Sequence, residues 1–239
     1  MRRTSVTREQ PLRAPALQAV GLDRRRVGLI WLALNALALL GARALSASEP
    51  AVGGTTPPAA PGVRVTSASQ YPVPGVRLVR DDGKVVSFPD ELNDGRPVVL
   101  NFIFTTCSSI CPLMSQTFAQ FDKELGADRE RVHLMSISID PEEDTPARLR
   151  EYAHKFHAGP EWQHYTGTAE ASLAAQRAFN VWRGDKMSHR PITLVRAAPG
   201  TPWLRIEGFV TPAELLVQYH RALAQAVLAS QSPPTVASR

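Results

Sequence analysis

The most constraining feature of the chain is an almost uninterrupted apolar run, VVLNFIF, at residues 98–104. A strand with one solvated face alternates apolar and polar residues, whereas a continuously apolar strand is covered on both faces. A segment with helical spacing and then a second apolar run, residues 132–139, follow it. The sequence therefore predicts an α/β fold built around a strand–helix–strand unit with two parallel strands.

Glycine, proline and threonine mark where the other elements begin and end. Gly83 suits the turn of a hairpin between residues 76–79 and 85–88. Thr145 followed by Pro146 is typical of a helix start, and that helix is predicted to run through residue 156. The other predicted elements are a helix with Leu113, Phe118, Phe121 and Leu125 on its apolar face, a short strand at 162–166, a helix at 169–179 capped by Thr168, strands at 192–195 and 203–206, and a helix at 212–229 begun by Thr211 and Pro212. Their order predicts a thioredoxin-like fold with a central mixed sheet and an N-terminal β-hairpin.

Positive charge is concentrated at the start of the chain. The net charge is +5, and residues 1–26 account for all of it, with seven arginines against Glu9 and Asp23. The rest of the chain is neutral and shows no basic groove with interleaved aromatic residues. We therefore predict no nucleic-acid partner.

Residues 27–42 carry no charge and directly follow three arginines. Arginines before an apolar run are typical of an export segment whose basic side stays in the cytoplasm. We predict a cytoplasmic tail at residues 1–26 and a signal or transmembrane segment at 27–45, with cleavage and retention as a membrane anchor both open. The rest is expected to be exported to the periplasmic side of the inner membrane, anchored or released.

The composition after the export segment changes to Ala, Pro, Ser, Thr and Gly. Residues 46–75 are therefore predicted to be an extended linker, since such a segment buries too little apolar surface to offset its ordering entropy. Residues 76–230 are predicted to form the folded domain, and residues 231–239 a flexible tail.

The only two cysteines, Cys107 and Cys111, lie in FIFTTCSSICPLM, after the first apolar strand. A structural disulfide would close a ring of about five residues and contribute only about 2 kcal/mol. A redox couple is favoured by the start of a helix, which stabilises thiolates, although three residues separate the cysteines where thioredoxin-like oxidoreductases usually have two. Two thiolates one helical turn apart also suit a soft ion such as Cu(I).

A third ligand would strengthen a metal site, and His189 is the best placed of six histidines. It stands in KMSHRPITLV, before a predicted strand, in the loop that faces the cysteine turn in a thioredoxin-like fold. Met187 is a soft candidate as well, but a loop methionine beside an apolar strand is expected to pack. The other histidines are expected on solvated helix faces (His154, His157, His220) or in strands not aimed at the cysteines (His133, His164).

The chain resembles the Sco/SenC family of copper-binding cytochrome c oxidase assembly proteins, over about residues 73–229. The likeness rests on FIFTTCSSICPLM, on SISIDPEEDTPARLREYAHKF at residues 136–156, and on a single histidine before a late strand. By position, the resemblance implies that Cys107, Cys111 and His189 are copper ligands. It gives Asp140 a supporting role beside the site.

The resemblance implies a copper chaperone that holds Cu(I) or Cu(II) and delivers it during assembly of the dinuclear copper centre of cytochrome c oxidase. Its expected partners are the copper-accepting oxidase subunit or another copper protein, and the membrane through the N-terminal segment. The alternative is a membrane-tethered thiol:disulfide oxidoreductase in which Cys107 and Cys111 are catalytic and reduce the acceptor's cysteines. Whether the protein is an enzyme stays open at this point.

Overall fold

The computed structural model describes residues 62–68 and 70–231. The predicted basic tail, the export segment and most of the predicted linker lie outside this part of the chain, as do residues 232–239. Within it, none of the helices combines the length and the apolar character that crossing a membrane requires.

Eight strands in the described residues form one mixed sheet. They are β1 Arg64–Ala68, β2 Arg77–Arg80, β3 Val85–Ser87, β4 Val98–Ile103, β5 His133–Ser138, β6 Trp162–Thr166, β7 Ile192–Arg196 and β8 Trp203–Glu207. Their spatial order is β1-β8-β7-β4-β5-β6-β2-β3. The three central strands β4, β5 and β6 run parallel, and the other pairings are antiparallel. The predicted parallel unit, the hairpin and the antiparallel extension of the sheet are all confirmed.

Five α-helices lie in this part of the chain; four connect strands, and the fifth follows β8. They are α1 Phe88–Leu92, α2 Ile110–Glu124, α3 Pro146–Lys155, α4 Ala169–Ala178 and α5 Pro212–Gln231. The predicted helix starts are confirmed in atomic detail: the Thr145 side chain accepts a hydrogen bond from the Arg148 amide, and Thr168 accepts one from the Ala171 amide. Each cap satisfies a backbone donor that has no partner inside its helix.

Alternate residues of β4 supply two separate cores. Val99 and Ile103 face a core that includes Phe118 of α2 and side chains of α3 and α5. Val98 and Leu100, with Phe102, face a core closed by side chains of α1 and by Phe179 after α4. The sheet is therefore covered on both faces, as the almost uninterrupted apolar run predicts.

Two expectations need correction. The predicted linker contains β1, whose residues pair with β8 from Arg64↔Glu207 to Ala68↔Trp203, so the folded domain begins before residue 76. A polar, short segment gains this structure because the edge of β8 offers unpaired backbone groups, which composition does not reveal. Leu113 is 50% exposed, and the buried stripe of α2 instead runs through Met114 and Phe118.

Candidate metal centre

The cysteines lie where β4 leaves the sheet and α2 begins. Phe104 ends the apolar run, and its carbonyl accepts a hydrogen bond from the Cys107 amide at 3.1 Å, which turns the chain toward the helix. Cys111 occupies the first turn of α2 and is fully buried, while Cys107 is half-buried in the preceding loop. Both thiols are free. The predicted place of the cysteines, after the first apolar strand and at the start of a helix, is confirmed.

The two thiols have opposite electrostatic environments. Burial opposes ionisation of Cys107, but amide groups, above all that of Cys111 at 3.4 Å from its Sγ, outweigh it and lower its pKa. Burial raises the pKa of Cys111, and the neighbouring Cys107 raises it further, against an opposing hydrogen bond from the Phe104 backbone. Cys107 is therefore the thiol that ionises first, and Cys111 is the protonated, protected partner.

His189 follows a short 3-10 turn, Lys186–Ser188, in the segment between α4 and β7. The Asp185 side chain caps the turn by accepting from the Met187 amide at 3.0 Å, and the His189 amide donates to the Lys186 carbonyl at 3.1 Å. The imidazole meets the edge of the Phe104 ring, with ring centroids 6.5 Å apart. This turn brings the predicted nitrogen ligand against the residue from which the cysteine loop departs.

The imidazole is held in the form that binds metals. Its Nε2 is buried and has no hydrogen-bond partner among the described residues. Burial, together with the nearby Arg183, lowers the pKa of His189 to about 4, so the ring is neutral at pH 7. A buried, unpartnered nitrogen is costly unless something binds it, so a soft metal fits both this atom and the two sulfurs.

Phe104 is the common neighbour of the two halves of this site. Its backbone interacts with the Cys111 thiol and its ring contacts the His189 ring. Even so, no three Cys, His, Asp or Glu side chains in the described part of the chain converge closely enough to hold one ion. The shared ligand set of Cys107, Cys111 and His189 therefore stays a prediction.

Asp140 and Asp144 support both loops. Asp140 pairs with Lys186 of the histidine turn at 2.6 Å. Asp144 is fully buried and accepts hydrogen bonds from the Thr105 amide and hydroxyl, two residues before Cys107. Sequence reasoning singled out Asp140 only. The only sequence feature that marked Asp144 was its position directly before the helix cap. That position did not distinguish it from neighbouring acidic residues that are solvated.

The other histidines take no part in this site. His154, His157 and His220 are exposed, as expected. His133 is buried at the start of β5, where its ring nitrogens contact the Glu91 carbonyl and the Tyr165 hydroxyl. Met187 is 75% exposed, so the expectation that it packs is wrong.

The fold and this site define a class: a thioredoxin-like α/β domain with a Cys-x-x-x-Cys pair at the end of a central strand and a histidine on the facing loop. The SCO1/SenC family model matches residues 73–196. The chain therefore belongs to the SCO1/SenC family.

Two relatives illustrate the similarity in sequence. The SCO1 protein homolog of Bacillus subtilis is 31% identical over 113 residues, which are 47% of this chain and 58% of that protein. The mitochondrial SCO1 homolog 1 of Arabidopsis thaliana is 35% identical over 106 residues, 44% of this chain and 30% of the relative. The matches thus span less than two thirds of either relative's length.

Solved structures share the fold. BsSco, a member of the Sco family of cytochrome c oxidase assembly proteins in which a disulfide switch was identified, aligns with a TM-score of 0.55 at 24% identity, over 64% of this chain and 94% of its own. Yeast Sco1 with copper bound aligns with a TM-score of 0.53 at 19% identity, over 71% of this chain and all of its own.

Proposed function

We propose that this protein is a copper chaperone that binds copper through the Cys107 and Cys111 thiolates and the His189 imidazole. It delivers the ion during assembly of the dinuclear copper centre of cytochrome c oxidase. Family membership supports the proposal, as does the copper bound by yeast Sco1. The observation that carries it is the buried, unpartnered Nε2 of His189 on a ring that contacts Phe104, whose backbone adjoins the Cys111 thiol.

The residues have separate tasks in binding. Cys107 is half-buried and has the lowered pKa, so its thiolate meets the incoming ion first. Cys111 must lose its proton before it can bind, and burial keeps it protonated until then. The neutral His189 imidazole needs no proton loss at pH 7. Two or three soft ligands satisfy Cu(I), so an acceptor can displace them one at a time and take the ion by ligand exchange.

The second candidate function is thiol:disulfide exchange, which the asymmetry of the two thiols favours. The Cys107 thiolate attacks one sulfur of an acceptor disulfide and releases the other as a thiolate, forming a mixed disulfide. Cys111, after losing its proton, attacks the Cys107 sulfur and releases the second acceptor thiolate. The acceptor ends as a dithiol and this protein as the Cys107–Cys111 disulfide. Both functions use the same cysteines, so His189 distinguishes them.

The place of action follows from the predicted export segment and the chemistry of the cysteines. We place the domain on the periplasmic side of the inner membrane, anchored or released, where the copper-accepting oxidase subunit or another copper protein is its partner. Thiols on that side are oxidised unless they are kept reduced or bound by metal. Bound Cu(I) would itself protect the pair from oxidation.

His189→Ala tests the proposal. The substitution removes the nitrogen ligand and leaves both thiols, so the copper affinity of the reduced protein should fall at least about tenfold, the equivalent of about 1.4 kcal/mol. The copper content of the oxidase in cells should fall as a consequence. Disulfide exchange should persist, because it depends on thiolate character and access. Copper affinity is measured by competition with a Cu(I) chelator of known affinity, and oxidase copper by elemental analysis.

The matched control is His220→Ala, which removes an exposed imidazole from α5 and should change neither measurement. Oxidase copper at the wild-type level in cells carrying His189→Ala would refute the chaperone function and favour the reductase. Loss of oxidase copper with both variants would point to a general defect in the protein rather than to ligand loss.

A further inference from the structure

We infer that Lys186 is a positioning residue for the proposed copper site. Through Asp140 it holds the turn that carries His189 against the loop that carries Cys107, so that the imidazole is in place before copper arrives. The inference rests on the proposed function, and it concerns side chains that are not themselves copper ligands.

Lys186 is held by two contacts at once. Its Nζ lies 2.6 Å from Oδ2 of Asp140, a carboxylate whose side chain is only 10% exposed. The same ammonium lies 5.8 Å from the centroid of the Phe104 ring, within the range of a cation–π interaction. The ion pair raises the pKa of Lys186, so the ammonium stays charged across the physiological range.

The restraint on Lys186 reaches His189 through a short stretch of backbone. The Lys186 carbonyl accepts the His189 amide at 3.1 Å, and the Ser188 amide donates to the Asp185 carbonyl at 3.0 Å. The turn between Lys186 and His189 is therefore closed by its own hydrogen bonds. Because the turn is closed, holding the Lys186 side chain against the Phe104 ring also holds the His189 imidazole against that ring.

A chain of hydrogen bonds connects Asp140 to the cysteine loop. The Asp140 amide donates to the Ser138 hydroxyl at 3.0 Å, and that hydroxyl donates to Asp144 at 2.6 Å. Asp144 in turn accepts from the Thr105 hydroxyl at 2.6 Å and from the Thr105 amide at 3.1 Å. Lys186 thus connects the histidine turn to the same buried group that fixes the start of the cysteine loop.

Holding a ligand in place before binding removes an entropic cost from the binding step. Without the ammonium, the nearly buried Asp140 carboxylate loses its partner and the turn loses its contact with Phe104. A partly buried ion pair and a cation–π contact together are worth enough to lower the docking equilibrium constant of the turn by about 5- to 20-fold. The loss should appear mainly as faster copper release, because the thiols still capture the ion.

The test compares Lys186→Gln with wild type in the reduced full-length protein by two measurements. Without copper, hydrogen exchange of the His189 amide should become about 5- to 20-fold faster, since that amide is protected only while the turn is formed. With Cu(I) bound, release to a chelator should accelerate by a similar factor. In the Lys186→Arg variant both rates should stay within about twofold of the wild-type rates, because a guanidinium also pairs with a carboxylate.

Two further variants distinguish positioning from a general surface effect. Asp140→Asn breaks the ion pair but leaves the contact between Lys186 and Phe104, so it should change both measurements in the same direction by a smaller factor, and the double variant should be no worse than Lys186→Gln alone. Lys84→Gln removes a lysine from the β2–β3 hairpin, at one edge of the sheet, and should change neither measurement.

Unchanged His189 exchange in Lys186→Gln would overturn the inference. So would unchanged copper release in a protein whose copper affinity depends on His189. If His189→Ala leaves copper binding intact, the proposed function fails instead, and the exchange measurement on the copper-free protein alone decides whether Lys186 positions the turn.

Discussion

His164 on β6 should make the protein sensitive to acid. Its ring is fully buried between the rings of Trp162 and Tyr152, with centroids 5.0 and 6.1 Å away. Neither ring nitrogen has a hydrogen-bond partner among the described residues, and the nearest carboxylate, Asp81, lies 3.9 Å from Nδ1, beyond hydrogen-bond reach. Burial therefore lowers the pKa of His164 from 6.5 to about 3.

The sign of the effect follows from proton linkage. Between pH 6.5 and pH 3 the unfolded chain binds a proton at this histidine and the folded protein does not, so acid favours unfolding. The stability is fully present above pH 6.5 and is lost as the pH falls. A shift of this size corresponds to roughly 5 kcal/mol when complete, and about half of that is lost between pH 7 and pH 4.5. Attraction by Asp81 makes these values upper bounds.

The perturbation is His164→Leu, which replaces the ring with an apolar side chain of similar volume. The free energy of unfolding is measured by urea titration of the reduced protein at pH 7 and pH 4.5, for wild type and variant. The change in unfolding free energy between the two pH values is then compared between wild type and variant. This comparison cancels the contributions of groups that titrate in both proteins, His189 included. Wild type should lose roughly 2 kcal/mol more than the variant over this interval.

Equal losses in the two proteins would refute the reasoning, because His164 would then titrate alike in the folded and unfolded states. A packing defect in the variant would lower its unfolding free energy by the same amount at pH 7 and at pH 4.5, so it would not change the difference between the pH losses of the two proteins. The denaturant slopes of the two proteins should agree, since both unfold the same surface.

Two further predictions concern the thiols and an edge of the sheet. Iodoacetamide at pH 7 should modify Cys107 at least about tenfold faster than Cys111, as measured by peptide mass spectrometry. The reason is that Cys107 is accessible and has a lowered pKa, whereas Cys111 is buried and has a raised pKa. Equal modification rates would contradict this assignment. Gly208→Ala should cost more than about 2 kcal/mol of unfolding free energy, since Gly208 has φ +106° and a Cβ would lie 2.6 Å from the Gly62 carbonyl oxygen. Gly200→Ala is the matched control, because Gly200 has φ +80° but open space where a Cβ would lie. It should lower the unfolding free energy by only about 1 kcal/mol. Equal losses for the two variants would show that the clash at Gly208 does not contribute.

The sequence by itself determined the local elements and the thiol pair. The Thr145 cap and the Gly83 turn, with its φ of +88°, depend on residues a few positions apart, so composition and spacing are sufficient to predict them. The adjacency of Cys107 and Cys111 is equally local, because four residues span one turn at the start of a helix. The almost uninterrupted apolar run likewise predicted a strand covered on both faces.

The tertiary structure decided everything that depends on contacts between distant segments. β1 exists because the edge of β8 accepts it, although its own residues read as a linker. Sequence placed His189 in the correct loop, but its buried Nε2, its contact with Phe104 and the Asp140–Lys186 pair arise from segments about 45 to 85 residues apart. Asp144 looked like one more solvated acid until folding buried it beneath Thr105. Burial and hydrogen-bond partners set the chemistry of these groups, and both are properties of the packed molecule rather than of any window of its sequence.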